Sequence, residues 1–175
     1  QLGRLPRKIQ FSVESRIELL PREVLAMLRD VGLTSVTVGT ETPSRETLLK
    51  YKRAPIKDDK QSQFVDLCRG LGIRVVAGFM IGFPEDTRQT IRAVLRYAKQ
   101  VDPFVANFNV CTPYPGTGWM DEIDHLVADR DWSRYDVYTP NLKYDHLTPE
   151  IVRGLHQECF RQYYFRWKYV QKNGR

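Results

Sequence analysis

The sequence predicts an α/β fold, a partial (β/α) barrel with a C-terminal helix, and three observations carry that prediction. Strand and helix patterns alternate four times between Ile9 and Val110, which argues for a parallel sheet with crossover helices. Two of the helical patterns close on a glycine, Gly32 and Gly72, 40 residues apart. Each strand pattern has one apolar row and one row that is small or polar.

The first strand spans Ile9 to Ser15. A helix follows from Pro21 to Val31, with Val24, Leu28 and Val31 at helical spacing and proline suited to a first turn. Gly32 caps it, and Ser35 to Thr40 is the second strand. Lys60 to Leu71 repeats the scheme with Phe64, Leu67, Cys68 and Leu71, and Gly72 caps it. The third strand runs from Ile73 to Ile81. A helix over Glu85 to Val101 buries Ile91, Val94, Leu95 and Ala98, and Asp102-Pro103 ends it. Phe104 to Val110 is the fourth strand. Residues 112–148, rich in Pro, Gly, Asp and Tyr, predict an ordered loop with one short helix near 119–127. Thr148-Pro149-Glu150 opens a last helix, running to about Val170 and crowded with aromatic residues.

Side chains alternate across a strand. Ile9, Phe11 and Val13 oppose Gln10, Ser12 and Glu14, with Arg16 continuing the polar row. Val36 and Val38 oppose Thr37, Gly39 and Glu41. Val75, Ala77, Phe79 and Ile81 oppose Val76, Gly78, Met80 and Gly82. Ala106, Phe108 and Val110 oppose Val105, Asn107 and Asn109. Parallel sheets are normally covered by apolar residues on both faces. A wet inner wall therefore predicts a barrel-like cavity with its chemistry at the strand C-termini; an open sheet with one wet face is the alternative. The glycines of "GFMIGFPEDT" fit a flat ligand lying against bare backbone, and Glu85 fits the first turn of the next helix.

Composition narrows the classes. The chain has 175 residues, 42% of them hydrophobic, enough for one domain with a real core. No apolar run approaches the roughly 20 residues that cross a bilayer, and the N-terminal residues lack a secretory-leader pattern. Cys68, Cys111 and Cys159 lie far apart, which argues against a disulfide scaffold and fits a cytoplasmic location. Net charge is +6, and Glu150 to Arg175 holds six basic and two acidic residues. A basic segment of that kind is either a solvated helix face or an anion-binding surface.

Four segments in order resemble a known family. "GFMIGFPEDT" is similar to the GxIxGxxE strand motif of radical S-adenosylmethionine enzymes, with Met80 in the isoleucine position. "FSVESR" resembles the family's third-strand ExR segment. "VTVGTETPSRETLLKYKR" resembles its fourth strand and following helix through Gly39, Glu41, Ser44, Leu48 and Lys52. "FNVCTPYPGTGW" resembles the end of its sixth strand through Pro113, Pro115, Gly116 and Thr117. The flavour is closest to members with an upstream cobalamin-binding domain.

The resemblance implies a TIM-like partial barrel, with the strands here corresponding to the third to sixth of six. Residues 1–118 would be the C-terminal part of the core barrel, and 119–175 a loop-rich extension and helix packed on it. It implies that Arg16 and Glu41 hold the carboxylate, amine or ribose hydroxyls of S-adenosylmethionine. Gly78, Met80 and Gly82 would form the adenine-contacting strand, Cys111 and Pro113 would close that pocket, and Asn107 and Asn109 would reach substrate. The alternatives are a local ion pair of Arg16 with Glu14, and a Glu41 carboxylate that caps the next helix. The family's CxxxCxxC motif, which binds a [4Fe–4S] cluster, is absent. The expectation is therefore a fragment whose cluster ligands lie outside this chain, or a degenerate protein without a cluster.

The activity implied for the intact protein is 5′-deoxyadenosyl-radical chemistry or cobalamin-assisted methyl transfer on a small-molecule substrate. Two other readings stay open. One is a nucleotide-binding module without redox chemistry. The other is a tRNA-modifying member that uses the basic aromatic helix on nucleic acid. Trp119, Trp132, Tyr135 and Tyr138 suit a large apolar or cyclic substrate.

Overall fold

The computed structural model describes residues 9–55 and 60–173. Strands β1 (Phe11–Glu14), β2 (Leu33–Glu41), β3 (Arg74–Ile81) and β4 (Val105–Val110) hydrogen-bond in the order β1-β2-β3-β4. β1 pairs with β2 in parallel, Val13 opposite Val36 and Glu14 opposite Thr37. Helices α1 (Arg22–Asp30), α2 (Arg45–Lys50), α3 (Lys60–Gly70) and α4 (Arg88–Val101) supply the crossovers, as strands laid side by side in one direction require. The predicted α/β class is the observed one. So is the two-row pattern: Val36, Val38, Val75, Ala77, Phe79, Ile81, Ala106, Phe108 and Val110 are buried, whereas Val76, Gly78, Met80, Asn107 and Asn109 are half-buried.

The chain divides into two compact units, one running to Gly78 and including Ala98–Asn107, the other formed by Phe79–Tyr97 with Phe108 onward. In the first unit, Gly32 links α1 to β2 at φ +116°, and a Cβ there would lie 1.9 Å from the Ile9 carbonyl oxygen. Ile9, expected on the buried row, is exposed. It precedes β1, and its contribution is that carbonyl. The α1 residue that is fully buried is Leu25, not the expected Val24, Leu28 and Val31, which are half-buried. α3 buries Phe64, Val65 and Cys68, and also Gln61, whose amide donates to the Thr40 carbonyl at 3.4 Å. Burial pushes the Cys68 thiol up to about 11, which marks an inert core residue. Arg69 donates to the Asp102 carbonyl at 2.9 Å, just beyond the end of α4, where a cation satisfies exposed helix carbonyls.

In the second unit, the core is aromatic. Phe79 stacks on Phe108 at 5.7 Å, and Phe108 meets Phe160 and Tyr163 edge-on. β4 is the last strand of the sheet, and its outer edge is covered. The Val110 amide donates to the Val137 carbonyl at 2.6 Å, and His156 Nε2 donates to the Phe108 carbonyl at 2.8 Å. The short helix expected near 119–127 is α5 (Gly118–Ile123) followed by a 3₁₀ turn. The last helix begins as expected, with the Thr148 hydroxyl accepting from the Ile151 amide. It does not continue to Val170. α6 (Pro149–Tyr164) ends at Phe165, and α7 (Trp167–Asn173) starts anew.

Helix α4 also begins three residues later than the sequence suggested, at Arg88. Asp86 is the cause. Its Oδ2 accepts from the Gly82 and Phe83 amides at 2.8 and 2.9 Å, and its Oδ1 from the Thr90 hydroxyl at 2.6 Å. Thr87 and Thr90 then exchange side-chain and backbone hydrogen bonds across the first turn, a reciprocal N-terminal cap. Glu85 therefore sits in a turn ahead of the helix and not in its first turn. Gly82 has a reason of its own: φ is +75°, and an added Cβ would crowd Val110 at 3.2 Å and Val152 at 3.3 Å. The bare backbone expected to face a ligand at Gly82 instead faces the protein's own side chains, and its amide is taken by Asp86.

Gly32→Ala is expected to lose about 2–4 kcal/mol, because left-handed strain adds to a backbone clash. Gly154→Ala, inside α6 with no atom within 4 Å of the added methyl, should gain about 0.5–1 kcal/mol. Urea unfolding of the two variants checks both signs. Asp86→Ala should lose about 2–4 kcal/mol by orphaning two buried amides. Desolvation raises the Asp86 carboxyl above its ordinary 3.8 despite the hydrogen bonds it accepts. The folded chain thus holds this proton to higher pH than the unfolded chain does. The carboxyl's contribution to stability is greatest below 3.8 and declines as pH rises through the folded value. Asp86→Asn should flatten that slope in an unfolding series across acidic pH.

Candidate functional site

A cavity of about 700 Å³ opens in the first unit at the C-terminal ends of β1 and β2. Glu14 and Arg16 reach it from the end of β1, Gly39 and Glu41 from the end of β2, and Lys52 and Arg53 from the segment after α2. Local chemistry explains each arrival. Arg16 is the extended residue that opens a 3₁₀ turn at Ile17–Leu19, so its side chain leaves at the strand end. The side chain is 74% exposed and lies 3.6 Å from Glu18. An exposed pair of that kind contributes at most about 1 kcal/mol, which leaves the guanidinium available. The expected competing pair with Glu14 is replaced by this one.

Glu41 has φ +61°, a conformation that strains a residue carrying a Cβ by about 1–2 kcal/mol. It turns the chain out of β2. Its Oε1 lies only 3.1 Å from where a Cβ on Gly39 would stand, so glycine at 39 lets the carboxylate fold back along the strand. The alternative role for Glu41, capping the next helix, belongs to Ser44, whose hydroxyl accepts from the Thr47 amide at 3.1 Å. At the far end of α2, Lys52 is again left-handed, φ +56°, and the Arg53 amide donates to the Leu48 carbonyl at 2.7 Å. That reversal brings two cations back to the cavity that Glu41 lines. The sequence marks Lys52 only as a motif position and gives no signal at Arg53.

The remaining candidates have the following places. Gly78 and Asn107 are half-buried on the polar rows of β3 and β4 in the first unit. In the second unit Met80 and Asn109 are half-buried on the same rows, and Cys111 and Pro113 are buried just past β4. The Cys111 amide donates to the Ile81 carbonyl at 2.8 Å, which fixes it beside the end of β3. Tyr144 joins this group unannounced by the sequence. Its buried hydroxyl lies 3.6 Å from a Cβ built on Gly82, and burial, with the charges of Cys111 and Asp86, pushes it up against the opposing effect of the Leu142 backbone. The structure thus gathers Arg16 with Glu41 in one cavity, and Gly82 with Cys111, Asp86 and Tyr144 in the second unit. Among the described residues no three His, Cys, Asp or Glu side chains form a metal-binding group, and no helix is long and apolar enough to cross a membrane. Cys68, Cys111 and Cys159 are buried, and none is in a disulfide among the described residues.

Comparison with known proteins places these motifs in a family. The Radical SAM superfamily model matches residues 3–98. An uncharacterized methyltransferase of Pyrococcus horikoshii is 28% identical over 94% of this chain and 36% of its own length. The anaerobic magnesium-protoporphyrin IX monomethyl ester cyclase of Cereibacter sphaeroides is 28% identical over 93% of this chain and 27% of its own length. The chain thus spans about a third of the curated relatives it matches. Among solved structures, the radical S-adenosylmethionine methyltransferase TsrM from Kitasatospora setae, with cobalamin and a [4Fe–4S] cluster bound, superposes with a TM-score of 0.59 at 23% identity. That match covers 67% of this chain and 22% of TsrM, and it supports the same partial-barrel fold. With a family model covering more than half its residues and four motifs in the family's order, this chain belongs to the radical S-adenosylmethionine superfamily.

Proposed function

We propose that this chain supplies cofactor- and substrate-binding walls of a larger radical S-adenosylmethionine enzyme, and that the cavity at Arg16 and Glu41 receives the amino-acid end of S-adenosylmethionine. The observation that carries this reading is the meeting of a guanidinium and a carboxylate in one cavity at the ends of adjacent parallel strands. A guanidinium fork matches the methionyl carboxylate, and the Glu41 carboxylate accepts from an ammonium or a ribose diol. The residues present therefore fit S-adenosylmethionine. They do not fit the iron–sulfur cluster, because the three cysteines are separate and no metal-binding group exists among the described residues.

When bound, S-adenosylmethionine supplies either one-electron cleavage chemistry or a transferable methyl group. The work of this chain is to bind and orient. In the first unit Arg16 and Glu41 fix the charged end, and Gly78 offers a flat stretch of strand. In the second unit Met80 on β3, Cys111 and Pro113 are the positions to which the family resemblance gives adenine contact. Gly82, held by Asp86, sets the turn that ends this strand. Asn107 and Asn109 present amides to substrate. The names of the relatives, a methyltransferase and a cyclase of magnesium-protoporphyrin IX monomethyl ester, support methyl transfer or ring formation on a large, largely apolar small molecule. Buried cysteines outside any disulfide support a reducing, cytoplasmic setting.

A second reading rests on Lys52 and Arg53. Two cations beside Arg16 in one cavity suit a polyphosphate, and a non-redox nucleotide-binding module would use them so.

Calorimetric titration of the chain separates the two. S-adenosylmethionine is expected to bind, with affinity falling about ten- to hundredfold in Arg16→Ala and in Glu41→Gln, the loss of one charge-assisted hydrogen bond each. Tight ATP binding that Lys52→Ala and Arg53→Ala abolish, with no S-adenosylmethionine binding, would replace the first reading by the second.

A further inference from the structure

The break between α6 and α7 changes what the basic C-terminal segment presents. α6 buries Val152, Leu155, Cys159 and Tyr163 against its own unit. α7 turns only one side inward. Tyr169 packs on Tyr163 and Tyr164 at 5.6 and 5.0 Å, and the Arg166 guanidinium lies 4.2 Å above the Tyr163 ring. The other side exposes Phe165 at 81%, Trp167 at 74% and Val170 at 44%. Lys168 and Lys172 are exposed beside them, as is Arg161, and no acidic residue follows Glu158.

Single exposed apolar residues are ordinary. Three large ones within six positions, set among cations, form a patch with a definite chemistry. We propose that α7 and the Phe165 turn ahead of it form a peripheral attachment surface for an anionic lipid bilayer. Phe165, Trp167 and Val170 would enter the headgroup–acyl boundary, and Lys168, Lys172 and Arg161 would meet lipid phosphates.

Charge complementarity selects the occupant. A run that is basic and free of acids faces an anionic partner, and an aromatic–aliphatic cluster with flanking lysines matches the interfacial layer of a membrane. Trp prefers that layer because its ring is apolar and its N–H is polar. RNA fits the patch less well. The tyrosines that would stack on bases are occupied with one another and with Arg166, and Val170 offers no stacking face. This surface lies outside the cofactor-binding residues and does not depend on their assignment.

Co-sedimentation of the chain with vesicles tests the proposal. The chain should pellet with vesicles of phosphatidylcholine and phosphatidylglycerol and stay in solution with phosphatidylcholine alone. Phe165→Ser with Trp167→Ser should lower the partition coefficient at least about tenfold. Lys168→Glu with Lys172→Glu should remove the preference for phosphatidylglycerol. Trp132→Ala, an exposed tryptophan elsewhere, should pellet like the parent chain. As a second measurement, lipids brominated on their acyl chains should quench tryptophan fluorescence in the parent and much less in Trp167→Phe. Pelleting that the Phe165/Trp167 variant retains would overturn the proposal. So would single-stranded RNA binding that this variant loses while vesicles leave the parent in solution.

Discussion

Left-handed backbone at the ends of β2 and β3 is the constraint on which the functional geometry depends. A parallel strand must leave its sheet abruptly, and both of these do so through a residue with positive φ, Glu41 at +61° and Gly82 at +75°. The two exits are stabilised differently. At Gly82 the residue itself is free of strain, and Asp86 locks the turn by accepting from the Gly82 and Phe83 amides. At Glu41 a charged side chain accepts strain of about 1–2 kcal/mol. Strain of that kind at a strand end is a mark of functional positions, and here it lays a carboxylate over Gly39 at the rim of a cavity.

The exit of β2 is also what brings the charges together. Ser44 caps α2, so Glu41 is released from any structural duty at the helix start. The helix is only six residues long, and its left-handed end at Lys52 returns the chain toward the point it left. A short, doubly reversed excursion of this sort places Glu41, Lys52 and Arg53 around one opening, with Arg16 arriving from the neighbouring strand. The mixture of charges matches a zwitterionic ligand better than a uniformly anionic one.

Much of the fold was legible because its signals are local. Hydrophobic alternation, the two glycine caps and the Thr148-Pro149-Glu150 start are each set by neighbouring residues, and each appears where expected. Arg16 and Glu41 carry the motif likeness, and the structure lines one cavity with both, at the strand ends where the polar rows point. The failures arise where tertiary contacts override local pattern. Glu85 looked like a first-turn acid, but the shorter side chain of Asp86 reaches the Gly82 amide and delays the helix to Arg88. Gly82 looked like a landing place for ligand, but Val110 and Val152 close over it, and neither is near it in sequence. Tyr144 gave no signal at all, since only the return of the 112–148 segment brings it above Gly82. The gap between α6 and α7 was hidden because the aromatic run hides which rings pack inward.

The sealed margin of β4 has an architectural consequence. Val137 and His156 occupy the amide and carbonyl that a further strand would need, so the sheet is terminated on that flank. β1 is the opposite terminal strand, with β2 as its neighbour in the ladder. A terminal strand is the place at which a sheet is extended. Among the described residues, growth of this sheet is closed at β4, and the flank left for additional staves of a barrel is that of β1.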